Sequence, residues 1–189
     1  MRPTIAPTES SRVGDVGYMN KAIPLLVLFA KTLTILEPVE LIGTDLVPES
    51  VLLPICAEVE TEMPNVVCQV SAERASVSRE ARSEQQVDAL KLLDGVPNGA
   101  VLVTEQDLNY GRRPFVFGIA HGDHAAVSAA RTGLQGTRLK KLVIHELGHM
   151  LGLTHHEGCV MAVAASVEEL DMLPEHLCST CLHTLATRD

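Results

Sequence analysis

The chain has 189 residues, 46% of them hydrophobic, enough for one domain with a full core. With no Trp and 3% aromatic residues, that core must be aliphatic, built from Val, Leu, Ile and Ala. A formal charge of −9 argues against a phosphate-neutralising, nucleic-acid-binding surface, and no stretch approaches the ~20 apolar residues that a membrane span needs.

Residues 1–20, rich in Pro, Thr, Ser and Gly and without periodicity, read as a flexible N-terminal arm, and residues 21–189 as the folded domain. Residues 23–30 form an apolar run that is short, interrupted by Pro24 and without an A-x-A cleavage site, so a buried first strand fits better than a signal peptide. A loop is expected over 37–48, then a helix in which Val51, Leu52, Ile55 and Val59 recur at helical spacing, its start delayed or its axis kinked by Pro54. Residues 65–70 read as a second strand. Residues 78–93 read as an amphipathic helix with Ala81, Val87, Leu90 and Leu93 inward. After the Pro97-Asn98-Gly99 turn come strands over 100–104, 115–120 and 124–130, the last two joined by Gly122-Asp123. A long helix follows over about 136–151. Strands alternating with helices and ending in a hairpin indicate an α/β domain with a mixed sheet.

That helix carries His145-Glu146-Leu147-Gly148-His149, continued by Gly152 and His155 as H-E-x-x-H-x-x-G-x-x-H. Histidines four residues apart share a helix face and can reach one metal ion, and Glu146 stands ready to take a proton from a water on that metal. A bare H-E-x-x-H is compatible with an exposed charged face; the extension to a third histidine favours a metal. Gly152 can adopt the left-handed conformation that stops the helix and lets the chain double back to offer His155. Three protein nitrogens and an open position are the donor set of a catalytic zinc.

His156 and Cys159 form an H-x2-C pair, and Cys178 and Cys181 a C-x2-C pair, the spacing of a closed structural zinc. Adjacent residues of an extended segment point opposite ways, so His155 and His156 can serve different metals. The competing reading of Cys178 and Cys181 is a short disulfide or a pair of buried thiols. Such a zinc can contribute ~10–16 kcal/mol of apparent binding energy to a C-terminal segment with little core of its own. Met161 lies just past the third histidine; a lone Met is more often core filler, and its position is what singles it out. With three of five cysteines in the zinc pattern, a reducing cytoplasm suits the chain better than a disulfide framework. His121 and His124 are spaced like ligands, but on a hairpin turn they read as solvated surface groups.

The long zinc motif, the cysteine-type second site, Cys159-x-Met161 and the final C-x2-C together resemble the archaemetzincin family, and the run from Phe115 to Ala120 is similar to its strand before the active-site helix. The resemblance is strong from about residue 100 to 181. It implies a metzincin-like α/β domain with a mixed twisted sheet of about five strands, one catalytic zinc at His145, His149 and His155, and a structural zinc beside it. It also implies an apolar methionine under the catalytic metal, a role that falls to Met161, and an edge strand that holds substrate, placed at 124–130. The family usually has Cys where this chain has His156, and a longer gap to the next Cys; His156, His183, Cys56 and Cys68 stand as candidates to complete the second site. The expectation is a cytoplasmic, monomeric zinc metallopeptidase acting on a peptide or protein, with Glu146 as general base. A non-proteolytic zinc hydrolase and a zinc-stabilised protein-binding module are the alternatives.

Overall fold

The computed structural model describes residues 38–187 apart from 79–80, 83–84 and 135, so the arm at 1–20 and the strand at 23–30 lie outside the described residues. The first described element is β1 (Val39–Thr44), inside the segment expected to be a loop. Its run Val39-Glu40-Leu41-Ile42 is too short to announce itself, yet Leu41 and Ile42 are both buried, on opposite faces of the sheet. There follow α1 (Glu49–Glu62), which starts ahead of Pro54 rather than after it, and β2 (Cys68–Ala75).

The helix expected over 78–93 is mostly absent. Val87 and Asp88 form a short strand, β3, and only Ala89–Leu93 is helical, as α2. Asp88 causes the switch: its carboxylate accepts the amides of Leu90 and Lys91 and caps the helix there, while Val87 N–H bonds Asp107 O.

β4 (Ala100–Thr104), β5 (Leu108–Tyr110), β6 (Arg113–Val116), β7 (Gly118–His121) and β8 (His124–Ser128) follow. The single strand expected over 115–120 is therefore two, in different sheets. Val116 pairs with Leu108, Gly118 pairs with Val127, and the buried Phe117 between them is where the chain changes sheet.

The principal sheet has order β2-β1-β4-β8-β7, and β3-β5-β6 form a second, three-stranded one. Among the described residues, only the β7–β8 pairing of the principal sheet is antiparallel. Both faces are covered, as parallel strands require. Val101, Val103, Ala125 and Val127 pack with α1 and α3 (Thr137–Met150), whereas Ala100, Leu102 and Ala126 pack with α2. The C-terminal region adds α4 (Val167–Met172) and α5 (Ser179–Ala186). The fold is α/β with a mixed five-stranded sheet. No helix among the described residues is long and apolar enough to cross a membrane.

Candidate metal centre and cleft

Helix α3 presents Leu139, Val143, Ile144 and Leu147 to the core and His145 and His149 to a cleft. It ends at a left-handed glycine: Gly152 has φ +80°, its N–H bonds His149 O, and Leu153 N–H bonds Gly148 O. This paired pattern closes the helix and reverses the chain, bringing His155 back over the ligand face.

The three rings then converge. His149 Nε2 lies 3.1 Å from both His145 Nε2 and His155 Nε2. His145 Nδ1 is 2.9 Å from Val160 O and His149 Nδ1 2.9 Å from Leu153 O. A carbonyl only accepts, so those Nδ1 atoms carry the protons and their Nε2 atoms are left as bare acceptors. Lone pairs this close repel each other unless a cation lies among them. Nitrogens bound to a tetrahedral zinc stand roughly 3.3 Å apart, so the donor set fits that ion. Burial, with the neighbouring histidines, pushes His145 down to about 4, and His155 is lowered by burial, by His149 and by Arg113 at the cleft lip.

Below the histidines the chain makes a turn closed by Ala162 N–H to Cys159 O, with Met161 fully buried in it. A Cβ on Gly148 would sit 2.5 Å from Met161 Sδ, so the glycine inside the motif makes room for the methionine.

Glu146 points into the same cleft and is 6% exposed. Burial raises its carboxyl to about 8. It packs on Gly118 of β7, where a Cβ would come within 2.6 Å of Oε1. Nothing in the spacing of the chain links residues 118 and 146, and sequence reasoning missed the contact.

The cleft encloses about 630 Å³ between β6 and β7 on one side and the 160–173 segment on the other. Among the described residues its sheet edge is β7, not the 124–130 strand expected to hold substrate: β8 is paired with β4 on one side and β7 on the other and has no free edge. Lys141, one turn before His145, was also missed. It is 4% exposed and donates to Leu170 O (3.0 Å), Asp171 O (3.3 Å) and Leu173 O (2.6 Å), fixing the wall beyond α4.

A second cluster lies beside the first. The Sγ atoms of Cys159, Cys178 and Cys181 fall within 4.8 Å of one another, with Cys159 and Cys181 3.6 Å apart. His156 Nδ1 is 3.5 Å from Cys178 Sγ. The amide of Cys181, at the start of α5, draws the Cys178 thiol down to about 7, while burial pushes Cys181 up. His183 is exposed on α5 and outside this group. Cys56 and Cys68, the other candidates, are joined in a disulfide with Cα atoms 5.4 Å apart. That pairing removes them as ligands and takes away the cysteine argument for a reducing compartment. His121 and His124 face each other across the β7–β8 turn, ring centroids 6.4 Å apart, without a third ligand among the described residues.

Residues 45–187 match Peptidase family M54. The chain is 34% identical over 119 residues to the archaemetzincin of Haloquadratum walsbyi, an alignment covering 53% of this chain and 68% of that protein. It spans 60–68% of the length of several curated archaemetzincins. The crystal structure of archaemetzincin from Methanopyrus kandleri is similar, with TM-score 0.69 and 30% identity, over 78% of this chain and 92% of that one. The malonate complex of archaemetzincin from Archaeoglobus fulgidus has TM-score 0.70 and 26% identity, over 78% and 99%.

Proposed function

The chain belongs to peptidase family M54, the archaemetzincins, a family of zinc metallopeptidases, and from that premise we propose that it hydrolyses peptide bonds at a zinc held by His145, His149 and His155, with Glu146 as general base. The convergence of three Nε2 atoms, two of them bare acceptors, beside a buried carboxylate in the same cleft carries this reading. A zinc in that position, when bound, polarises a carbonyl and lowers the pKa of a coordinated water toward ~7.

The remaining work falls to the chain's own residues. Val160 O and Leu153 O hold His145 and His149 in the tautomer that offers Nε2. Glu146 takes the proton from the attacking water and returns it to the leaving amine nitrogen. Its burial favours the protonated form that this shuttle passes through. Edge strand β7 offers the backbone groups that pair with an extended peptide. Because Glu146 faces the histidines without belonging to their donor set, the arrangement favours catalysis over a purely structural metal.

Cys159, Cys178, Cys181 and His156 are proposed to hold a second, structural zinc. Residues 155 and 156 would then tie the two metals together through one peptide bond.

Screening a peptide library with zinc-loaded protein, with and without chelator, tests the reading. Cleavage that chelator abolishes and added zinc restores is expected. Cleavage indifferent to chelator, or none by fully zinc-loaded protein, would contradict it.

A further inference from the structure

Gly118 is the first residue of β7, paired with Val127 of β8, in a strand whose neighbours Ile119 and Ala120 carry ordinary side chains. Its conformation is not one reserved for glycine, since its φ lies outside the positive region. Space is what excludes a larger residue. A Cβ built there would stand 2.6 Å from Glu146 Oε1, 2.7 Å from Cγ and 2.8 Å from Cδ, so three atoms of one side chain occupy the place of the missing methyl. The helix behind Glu146 is packed in the core and β7 is hydrogen-bonded along β8, so the part that yields is the Glu146 side chain itself.

We propose that Gly118 is a positioning residue for Glu146: the bare backbone of the edge strand is the wall against which the carboxylate is seated, and the glycine sets how close base and strand can approach. The same strand borders the cleft, so this contact also fixes the distance between the base and any peptide paired on the edge. The inference rests on the proposed role of Glu146, but the contact itself does not. A methyl at position 118 must displace the carboxylate, move the strand, or both. A displaced base loses the hydrogen-bond reach that proton transfer needs, whereas zinc held by the histidines is left in place.

The test is a double-mutant cycle of wild type, Gly118→Ala, Glu146→Ala and the double variant. Two readouts are taken: thermal unfolding, and peptide hydrolysis at matched zinc content. Gly118→Ala is expected to retain zinc, to keep KM within about twofold and to lower kcat by about 10²-fold, with a lowered Tm. In the Glu146→Ala background, where the obstructing side chain is gone, the same alanine should lower neither Tm nor the residual rate. Should Gly118→Ala fail to fold while the double variant folds, the proposal is equally supported. Equal losses in both backgrounds, or an unchanged kcat, would overturn it. If no variant cleaves any peptide, the peptidase reading fails separately and the unfolding cycle alone decides: coupling upholds the contact, and additivity refutes it.

Discussion

A lysine buried on the cleft side of α3 has to be justified by its partners. Lys141 has three, all backbone carbonyls at or just beyond the end of α4, and they use the three donors of its ammonium. Lys141→Met would keep the aliphatic stem and leave those acceptors unmet. Denaturant unfolding should show a loss of about 1–3 kcal/mol, and unchanged stability would show that water takes the place of the ammonium. Gly152 is a second single-residue determinant. At φ +80° an alanine pays about 1–2 kcal/mol in the left-handed region, and the strain falls on the turn that carries His155 and the Leu153 carbonyl. Gly152→Ala should therefore weaken zinc retention against a competing chelator while leaving the cysteine cluster loaded. Equal retention would mean that the third ligand does not depend on this turn.

At the scale of elements, the antiparallel register of β7 decides which backbone groups face the cleft. Ile119 lies opposite Ala126 and His121 opposite His124, and Ser128 N–H bonds Phe117 O. Alternate residues of an edge strand turn their backbone outward, which leaves Gly118 and Ala120 facing the open edge. Ala120→Pro would delete an outward N–H without breaking the ladder to β8. It should raise KM several-fold with the zinc content unchanged; an unaffected KM would remove β7 from substrate binding.

The three converging histidines were legible because helical period and a glycine stop bring them together within eleven contiguous positions. The free edge was not. Whether β7 or β8 closes the sheet depends on β8 pairing with β4, twenty-odd residues earlier, and no local pattern encodes that. The split at Phe117 was hidden for the same reason, since its apolar neighbours suit one strand as well as two. Over 78–93 the helical spacing of four apolar residues misled: Val87 belongs to a strand, Leu90 is exposed, and the informative residue was the capping Asp88.

For the whole molecule, the cysteines divide the work of cross-linking. Cys56–Cys68 ties α1 to β2, whereas Cys159, Cys178 and Cys181 gather the chain after the Gly152 turn to the start of α5. With a short α4 and α5 and few fully buried side chains beyond Met161, this C-terminal segment depends on that gathering. Cys178→Ser/Cys181→Ser should reduce zinc from about two per chain to about one and lower the Tm, as metal analysis and calorimetry would register. One zinc in both proteins, with equal Tm, would make the cysteines ordinary core thiols. The most direct measurement for the account as a whole is the rate of peptide hydrolysis by zinc-loaded wild type and by Glu146→Gln at equal zinc per chain. The amide keeps the shape of the side chain and cannot take a proton, so a loss of about 10²-fold or more with zinc retained is predicted; equal rates would contradict the general-base role on which the proposed mechanism is built.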